Sequence, residues 1–143
     1  ADVVQAAVQT RIAAAMGLPV QHLEAATVLH YSPGEQITGH YDFVNPRMPD
    51  YATEIAERGQ RVATFLVYLN DDYEGGETDF PELALRYHGG KRGALLFANA
   101  LPNGEPDLRM VHAGLQPKDN EKWLMSQFIR NRPVSGIRAE KQG

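Results

Sequence analysis

The chain has 143 residues, of which 43% are hydrophobic and 22% charged, with a formal net charge of −4 and no cysteine. This length predicts a single domain with one hydrophobic core, and the absence of any run of like charges argues against a nucleic-acid partner. No apolar stretch approaches the roughly 18 residues that would span a bilayer, so we expect no membrane interaction and a cytoplasmic location. The lack of cysteine excludes disulfides and thiolate metal sites, so any metal must be held by His, Asp or Glu.

The first predicted element is a helix over residues 2–16. Small and apolar side chains recur there at helical spacing, and Gly17 provides a stop signal. The sequence shows no cap at the start of this helix. We therefore expect the natural protein to extend upstream, so that the chain is truncated at its N-terminus.

Short β-rich segments separated by turn signals follow along most of the remaining chain. The predicted strands cover residues 26–32, 36–43, 61–71, 82–88, 93–99, 110–115 and 122–132. Segment 61–71 is almost continuously apolar, so it should be central and covered on both faces, and 93–99 should be buried. The polar segment 45–60, with two prolines, is predicted to be a long loop with one helical turn, the kind of segment that acts as a lid.

This order of elements predicts a mostly β domain with flanking helices. Many short strands at nearly regular spacing, after one or two helices, are typical of an antiparallel barrel or a double-sheet jelly roll. We therefore expect one domain over residues 1–143, in which residues 133–143 form a loosely ordered tail.

The stretch GHYDF places a histidine and an aspartate two residues apart. In an extended strand alternate residues share a face, so His40 and Asp42 would point to the same place. His112 lies far along the chain, but the Greek-key connections of a jelly roll bring distant strands together. Two histidines and one carboxylate on one side of a metal, with the opposite positions open, form the ligand set of non-haem Fe(II) oxygenases. Zinc is the rival metal, because the same ligands serve zinc hydrolases.

Lys122 follows His112 by ten residues, inside a segment that is apolar enough to be a buried strand. A buried lysine is costly unless an anion pairs with it. A dicarboxylate that chelates iron at one end and meets Lys122 at the other would explain the metal ligands and the lysine together. The zinc alternative leaves Lys122 unexplained and lacks an evident general base beside His40 and Asp42.

Four segments resemble, in this order, the catalytic domain of prolyl 4-hydroxylase-type 2-oxoglutarate/Fe(II) dioxygenases: HYSPGEQITGHYDF, RVATFLVYLNDDYEGGETDF, KRGALLFAN and HAGLQPKDNEKW. The resemblance covers residues from about 24 to 132. It implies a double-stranded β-helix, which is a jelly roll. It also implies Fe(II), 2-oxoglutarate as co-substrate and O₂, with ascorbate as an optional reductant.

The resemblance also implies roles for particular residues. These are His40, Asp42 and His112 as iron ligands, Lys122, Tyr31 and Thr78 around 2-oxoglutarate, and Arg61 and Glu24 near the substrate groove. Simpler explanations exist for some of them. Thr78 could stabilise its turn, and Tyr31 could be a core aromatic residue. Arg61 could be an exposed strand end, and Glu24 a surface residue.

Several other residues are expected to lie outside the site. Trp123 alternates with Lys122 along the strand, so it should face the other way and belong to the core. His22, His30 and His88 match no ligand position. We expect them to be surface or hydrogen-bonded residues.

The activity that the resemblance implies is 4-hydroxylation of peptidyl proline, with a proline-containing peptide or protein as substrate. Three residues near the site depart from the family pattern, namely Ile37, Phe128 and Arg130. A free amino acid or another small metabolite therefore stays open as an alternative substrate. A catalytically silent jelly-roll module that only binds a partner is the alternative from another class, although the intact ligand set counts against it.

Overall fold

The computed structural model describes residues 2–134 of the chain. Within them the chain forms two α-helices, α1 (Val3–Met16) and α2 (Pro49–Arg58), and eight β-strands. The strands are β1 (Thr27–Tyr31), β2 (Ile37–His40), β3 (Arg61–Tyr68), β4 (Thr78–Phe80), β5 (Leu85–Tyr87), β6 (Ala94–Ala98), β7 (His112–Gly114) and β8 (Lys122–Arg130). Neither helix in this part of the chain is long and apolar enough to cross a bilayer. The predicted tail begins at residue 133, and all but its first two residues lie outside the described part.

The strands form two antiparallel sheets. The major sheet has the order β1-β8-β3-β6 and the minor sheet the order β2-β7-β4-β5, so strands distant in sequence are neighbours in both. Apolar side chains of the two sheets meet in one core, made of Tyr31, Leu66, Tyr68, Phe80, Phe97 and Leu124. Two facing sheets with this crossed strand order form the predicted jelly roll, and the prediction of a mostly β domain with flanking helices is confirmed.

The central position predicted for segment 61–71 is confirmed, because β3 lies between β8 and β6. On its outer face Ala63 packs under Ile12 and Ala13 of α1. On its inner face Leu66 belongs to the core between the sheets. Each face of this strand is therefore covered by apolar side chains, as a nearly continuous apolar sequence requires.

Two predictions about the major sheet are wrong in the same way. Strand β6 is an edge strand and not a buried one, since Leu96 is 47% exposed. Trp123 is 39% exposed and not part of the core, and the centre of its ring lies 4.2 Å from the centre of the His30 ring. Leu96 and Trp123 both lie on the outer face of the sheet. Helix α1 packs against only the middle of that face, so it does not cover them.

Helix α1 confirms the first predicted element and corrects its start. The Asp2 side chain accepts a hydrogen bond from the Val4 N–H at 2.9 Å, so the helix has an N-cap after all. At the other end Gly17 adopts a left-handed conformation, with φ at 64°, and ends the helix as expected.

Segment 45–60 is not a loop with one helical turn, because it contains the ten-residue helix α2. Pro49 occupies the first helical turn, where a missing N–H costs nothing. Asp50 lies in the first turn and Arg58 in the last, where each charge interacts favourably with the helix dipole and stabilises the helix. The prolines of this segment suggested a loop, but Pro49 begins a helix instead of interrupting one.

Arg130, the last residue of β8, ties α2 to the major sheet. Its fully buried guanidinium donates to Glu24 Oε2 at 2.9 Å, to the Gly59 carbonyl at 2.7 Å and to Glu54 Oε1 at 2.6 Å. Glu24 also accepts two hydrogen bonds from Arg61, at 2.7 and 3.0 Å. Two guanidinium groups and two carboxylates therefore balance one another, and Glu54 anchors the helix through this network.

Replacing Arg130 by methionine should lower the free energy of unfolding by about 3–5 kcal/mol, because Glu24 and Glu54 lose the cation that compensates for their burial. Arg86→Met is the matched control. The Arg86 side chain is 65% exposed in its ion pair with Asp79, so this change should cost about 1 kcal/mol or less. Urea denaturation followed by circular dichroism gives both values. Equal losses in the two variants would contradict a structural role for the network.

Candidate active site

The pairing of β2 with β7 brings two of the predicted metal ligands together. His40 and His112 are directly opposite each other in the register of these strands. Asp42 lies in a bend beyond the end of β2, with Oδ1 3.3 Å from His40 Nε2 and Oδ2 3.3 Å from His112 Nε2. The ligand atoms of this triad lie within 4.8 Å of one another, and in residues 2–134 no other cluster of three such side chains could hold a metal ion.

Backbone carbonyls fix both imidazole rings of the triad. His40 Nδ1 lies 2.9 Å from the Thr38 carbonyl oxygen, and His112 Nδ1 lies 2.9 Å from the Met110 carbonyl oxygen. When each Nδ1 donates its proton to that carbonyl, Nε2 is the ring nitrogen that faces Asp42. There it can donate a hydrogen bond to the carboxylate, and a bound metal would replace that proton. Two imidazole nitrogens and one carboxylate oxygen, arranged in this way, fit Fe(II) and leave further positions on the metal open.

Asp42 is buried and carries a negative charge. Burial raises the pKa of its carboxyl, but hydrogen bonds with His112, His40 and Thr64 outweigh the burial and bring the pKa well below its usual range. The hydrogen bond with Asp42 also raises the pKa of His40, against the opposing effect of burial. The carboxylate is therefore ionised at neutral pH and can act as an anionic ligand.

Lys122 is fully buried near the triad. Its Nζ donates to the carbonyl of Gly76 at 2.7 Å and lies 4.8 Å from the centre of the Tyr31 ring. In the described residues this neutral carbonyl is its hydrogen-bond partner, and no carboxylate forms an ion pair with it. Burial lowers the pKa of Lys122 to about 8, and the charge of Glu77 offsets only part of that effect. The site therefore holds a buried cation that lacks an anion.

One cavity joins Lys122 to the triad. Its lining includes Lys122, Tyr31 and Thr78 together with His40, Asp42 and His112. The Thr78 hydroxyl shares a 2.8 Å hydrogen bond with the Tyr68 hydroxyl. Gly114 makes room for Tyr31, because a Cβ at position 114 would lie 2.8 Å from the Tyr31 hydroxyl oxygen. The fold thus brings all six residues expected at the metal and the co-substrate around one space.

A second and larger space is a groove of about 700 Å³, lined in part by Tyr41 and Phe43, the chain neighbours of Asp42. Its walls include Tyr41 and Phe43, whose rings stack 4.7 Å apart, and Tyr51 of α2. Arg61 lines the groove as well, and its guanidinium carbon lies 4.0 Å from the centre of the Phe128 ring. The groove wall thus combines three aromatic side chains with charged ones, namely Arg47, Arg61, Glu54 and Glu105.

Glu24 does not line the groove but pairs with Arg61, which does. Its side chain is 12% exposed, so the simpler explanation of Glu24 as a surface residue is wrong, and its role near the substrate stays a prediction. The reason for the low exposure is its contact with two guanidinium groups, those of Arg61 and Arg130, which compensate for the burial of the carboxylate.

The three histidines expected outside the site are hydrogen-bonded elsewhere. His22 contacts the carbonyl of Arg130, and His88 the carbonyl of Tyr73. His30 contacts the Glu121 carboxylate at 3.1 Å. None of them joins the triad.

Sequence reasoning missed most of the groove wall. The alternation in GHYDF could have revealed part of it, because it predicts that Tyr41 and Phe43 share one side of the chain. Tyr51 could not be placed without knowing that α2 is a helix.

Residues 26–130 match the family model of the 2OG-Fe(II) oxygenase superfamily. The chain belongs to this superfamily. It is 34% identical over 125 residues to prolyl 4-hydroxylase subunit alpha-1 of Gallus gallus, across 87% of this chain and 24% of that protein. It is 31% identical over 142 residues to prolyl 4-hydroxylase 1 of Arabidopsis thaliana, across 90% of this chain and 48% of that protein. The chain thus spans less than half the length of these curated relatives.

Solved structures of 2OG-Fe(II) oxygenases share the fold. The viral collagen prolyl hydroxylase of Paramecium Bursaria Chlorella virus-1, solved as a 2OG complex, has a TM-score of 0.73 and 29% identity, covering 90% of this chain and 73% of that chain. These similarities confirm the resemblance to prolyl 4-hydroxylase-type dioxygenases. Fe(II) and 2-oxoglutarate, the predicted cofactors, are those of the superfamily, and the triad with the unpaired Lys122 fits them.

Because Lys122 has a pKa of about 8 in the free protein, 2-oxoglutarate should bind this chain more weakly as the pH rises through that value. A bound carboxylate keeps the lysine protonated, so binding above this pH takes up a proton. The affinity should fall about tenfold from pH 7 to pH 9. Calorimetric titration of the Mn(II)-loaded protein measures this without turnover. Lys122→Arg, which stays charged throughout, is the control, and an equal fall in that variant would contradict the assignment.

Proposed function

We propose that this chain catalyses 2-oxoglutarate- and O₂-dependent 4-hydroxylation of proline residues in a peptide or protein, at an Fe(II) centre. One observation carries the proposal. The triad lines a cavity that contains an unpaired buried lysine, and the residues on either side of Asp42 in the chain line an open groove. The cavity suits a small dicarboxylate, and the groove suits an extended polypeptide. The cytoplasmic location stays a prediction.

In this proposal His40, Asp42 and His112 hold Fe(II), and Lys122 binds the far carboxylate of 2-oxoglutarate. When bound, Fe(II) and 2-oxoglutarate would together activate O₂. Overall, 2-oxoglutarate is oxidised to succinate and CO₂, and one oxygen atom is inserted into a substrate C–H bond. The chain itself supplies orientation. Its fixed imidazole rings and ionised aspartate keep one side of the metal occupied and the other side open to the reactants.

Thr78 and Tyr31 complete the binding site proposed for the co-substrate. Their hydroxyl groups are neutral hydrogen-bonding partners in the same cavity as the Lys122 cation. Leu66 and Leu124 also line this space and limit the access of water. In such a low-dielectric environment the attraction between a carboxylate and a lysine is stronger than at the surface.

Two features of the groove support a peptide substrate. Arg61 already pairs with Glu24, so its guanidinium cannot bind a free α-carboxylate without breaking an ion pair, although Arg47 also lines the groove. The stacked rings of Tyr41 and Phe43 suit a proline ring and an uncharged peptide backbone. A Pro-rich peptide is also close to its extended bound conformation and loses little entropy on docking.

We expect His40→Ala, Asp42→Ala and His112→Ala each to abolish iron binding and turnover while the fold stays intact, because each removes one of three ligands. Iron content and succinate release are measured together, and thermal melting reports on the fold. His30→Ala is the matched control, since His30 lies outside the triad against Glu121, and it should keep both properties. Iron binding and full activity in any of the three variants would remove that residue from the ligand set.

The proposed reaction is tested by mass spectrometry after incubation with Fe(II), 2-oxoglutarate, ascorbate and air. We expect Pro-rich peptides to gain one oxygen atom on proline, with an equal amount of succinate, and free proline to gain none at the same concentration. Asp42→Ala provides the background. Oxygen on free amino acids alone would overturn the peptide substrate and leave the oxygenase in place. No succinate with any substrate from iron-loaded protein would overturn the hydroxylase.

A further inference from the structure

Behind the triad, two buried polar side chains form a short series of hydrogen bonds that ends on Asp42. Asn99 Nδ2 donates to Thr64 Oγ1 at 2.9 Å, and Thr64 Oγ1 donates to Asp42 Oδ2 at 2.7 Å. Thr64 is 0% exposed and Asn99 is 1% exposed. Polar groups in the core cost free energy that an apolar pair of similar shape would not, so their presence beside a metal site points to a role there.

The order of donors in this series is fixed by chemistry. The Asn99 amide nitrogen can only donate, so the Thr64 oxygen accepts from it. The single proton of the Thr64 hydroxyl is therefore directed to Asp42. The carboxylate cannot rotate away without leaving a buried hydroxyl unpaired, which carries a free-energy penalty.

We propose that Thr64 and Asn99 are positioning residues that hold the Asp42 carboxylate in one orientation, with Oδ1 offered to the metal and Oδ2 retained by the protein. The inference rests on the proposed function, because it places the metal at the triad. A chelating 2-oxoglutarate and O₂ need three positions on a six-coordinate ion, and the two histidines occupy two more. Asp42 must then supply a single oxygen, whereas a carboxylate that turns freely can supply two.

Asn99 also fixes the loop that forms one wall of the groove. Its carbonyl accepts a hydrogen bond from the Asp107 N–H at 3.0 Å, and Ala100 forms an antiparallel bridge with Pro106. Glu105 and Pro106 of this loop line the groove. The residue that orients the metal ligand through its side chain thus also supports the groove wall through its main chain.

The test is cobalt binding, which requires no turnover. Co(II) is a stable probe for the triad, and its visible absorption reports the number and arrangement of ligands. Thr64→Val keeps the shape of the side chain and removes its hydroxyl, so it should weaken Co(II) binding by about 10- to 100-fold and alter the spectrum. Thr64→Ser keeps the hydroxyl and should bind within about threefold of the original protein.

Asn99→Leu removes the amide but leaves Thr64 in contact with Asp42, so it should weaken Co(II) binding by a smaller factor, about three- to tenfold. Because Asn99 acts through Thr64, the double variant should bind Co(II) no more weakly than Thr64→Val alone. Additive losses would overturn this link. Unchanged affinity and spectrum in folded Thr64→Val would overturn the positioning role, even with reduced stability. If Thr64→Val does not fold, unchanged Co(II) binding by Asn99→Leu overturns the proposal.

Failure of this inference is distinguishable from failure of the proposed function. Unsubstituted protein that binds Co(II) but hydroxylates no peptide counts against the proposed function, and the comparison among variants still decides the role of Thr64. Unsubstituted protein that hydroxylates peptides, with equal Co(II) binding by Thr64→Val, counts against the positioning role alone.

Discussion

The site depends on the register of one short strand. Strand β7 is three residues long and lies between β2 and β4 in the minor sheet. It sets His112 opposite His40 on one side and Gly114 opposite Thr78 on the other. A slip by one residue would turn His112 to the opposite face of the sheet and remove a ligand. The same slip would displace the glycine that makes room for Tyr31, so the metal centre and the cavity beside it share one structural requirement.

Charge is distributed unevenly between the two spaces beside the triad. At the cavity, Lys122 is a buried cation without a carboxylate partner, whereas at the groove Arg61 is neutralised by Glu24. An uncompensated buried charge destabilises the free protein, and an anion that binds there recovers that cost. Affinity for a dicarboxylate is therefore concentrated in the cavity. The groove offers its ligand aromatic contacts together with charges of both signs, from Arg47, Glu54 and Glu105.

The strands and two of the three triad residues could be predicted because their signals are short in range, whereas His112 needed the resemblance to a known family. The two-residue spacing of His40 and Asp42 and the apolar run of β3 are visible in a single segment. The errors concern features that distant residues decide. Trp123 is exposed because α1 packs elsewhere on the sheet, and Glu24 is buried because arginines 37 and 106 residues away pair with it. Thr64 resembles any strand threonine until Asn99, 35 residues later, is seen to donate to it.

Of the three residues that sequence analysis sets apart from the family pattern, two line the cavity and the third supports the groove. Ile37 and Phe128 line the cavity, and the Phe128 ring also contacts the Arg61 guanidinium. Arg130 holds α2, which forms a groove wall. Because alternate residues of β8 share a face, Lys122, Phe128 and Arg130 follow one another along the inner side of the same strand. Substitutions in its second half can therefore reshape the groove while Lys122 and the triad stay in place, so substrate preference can change without altering the proposed iron and co-substrate site.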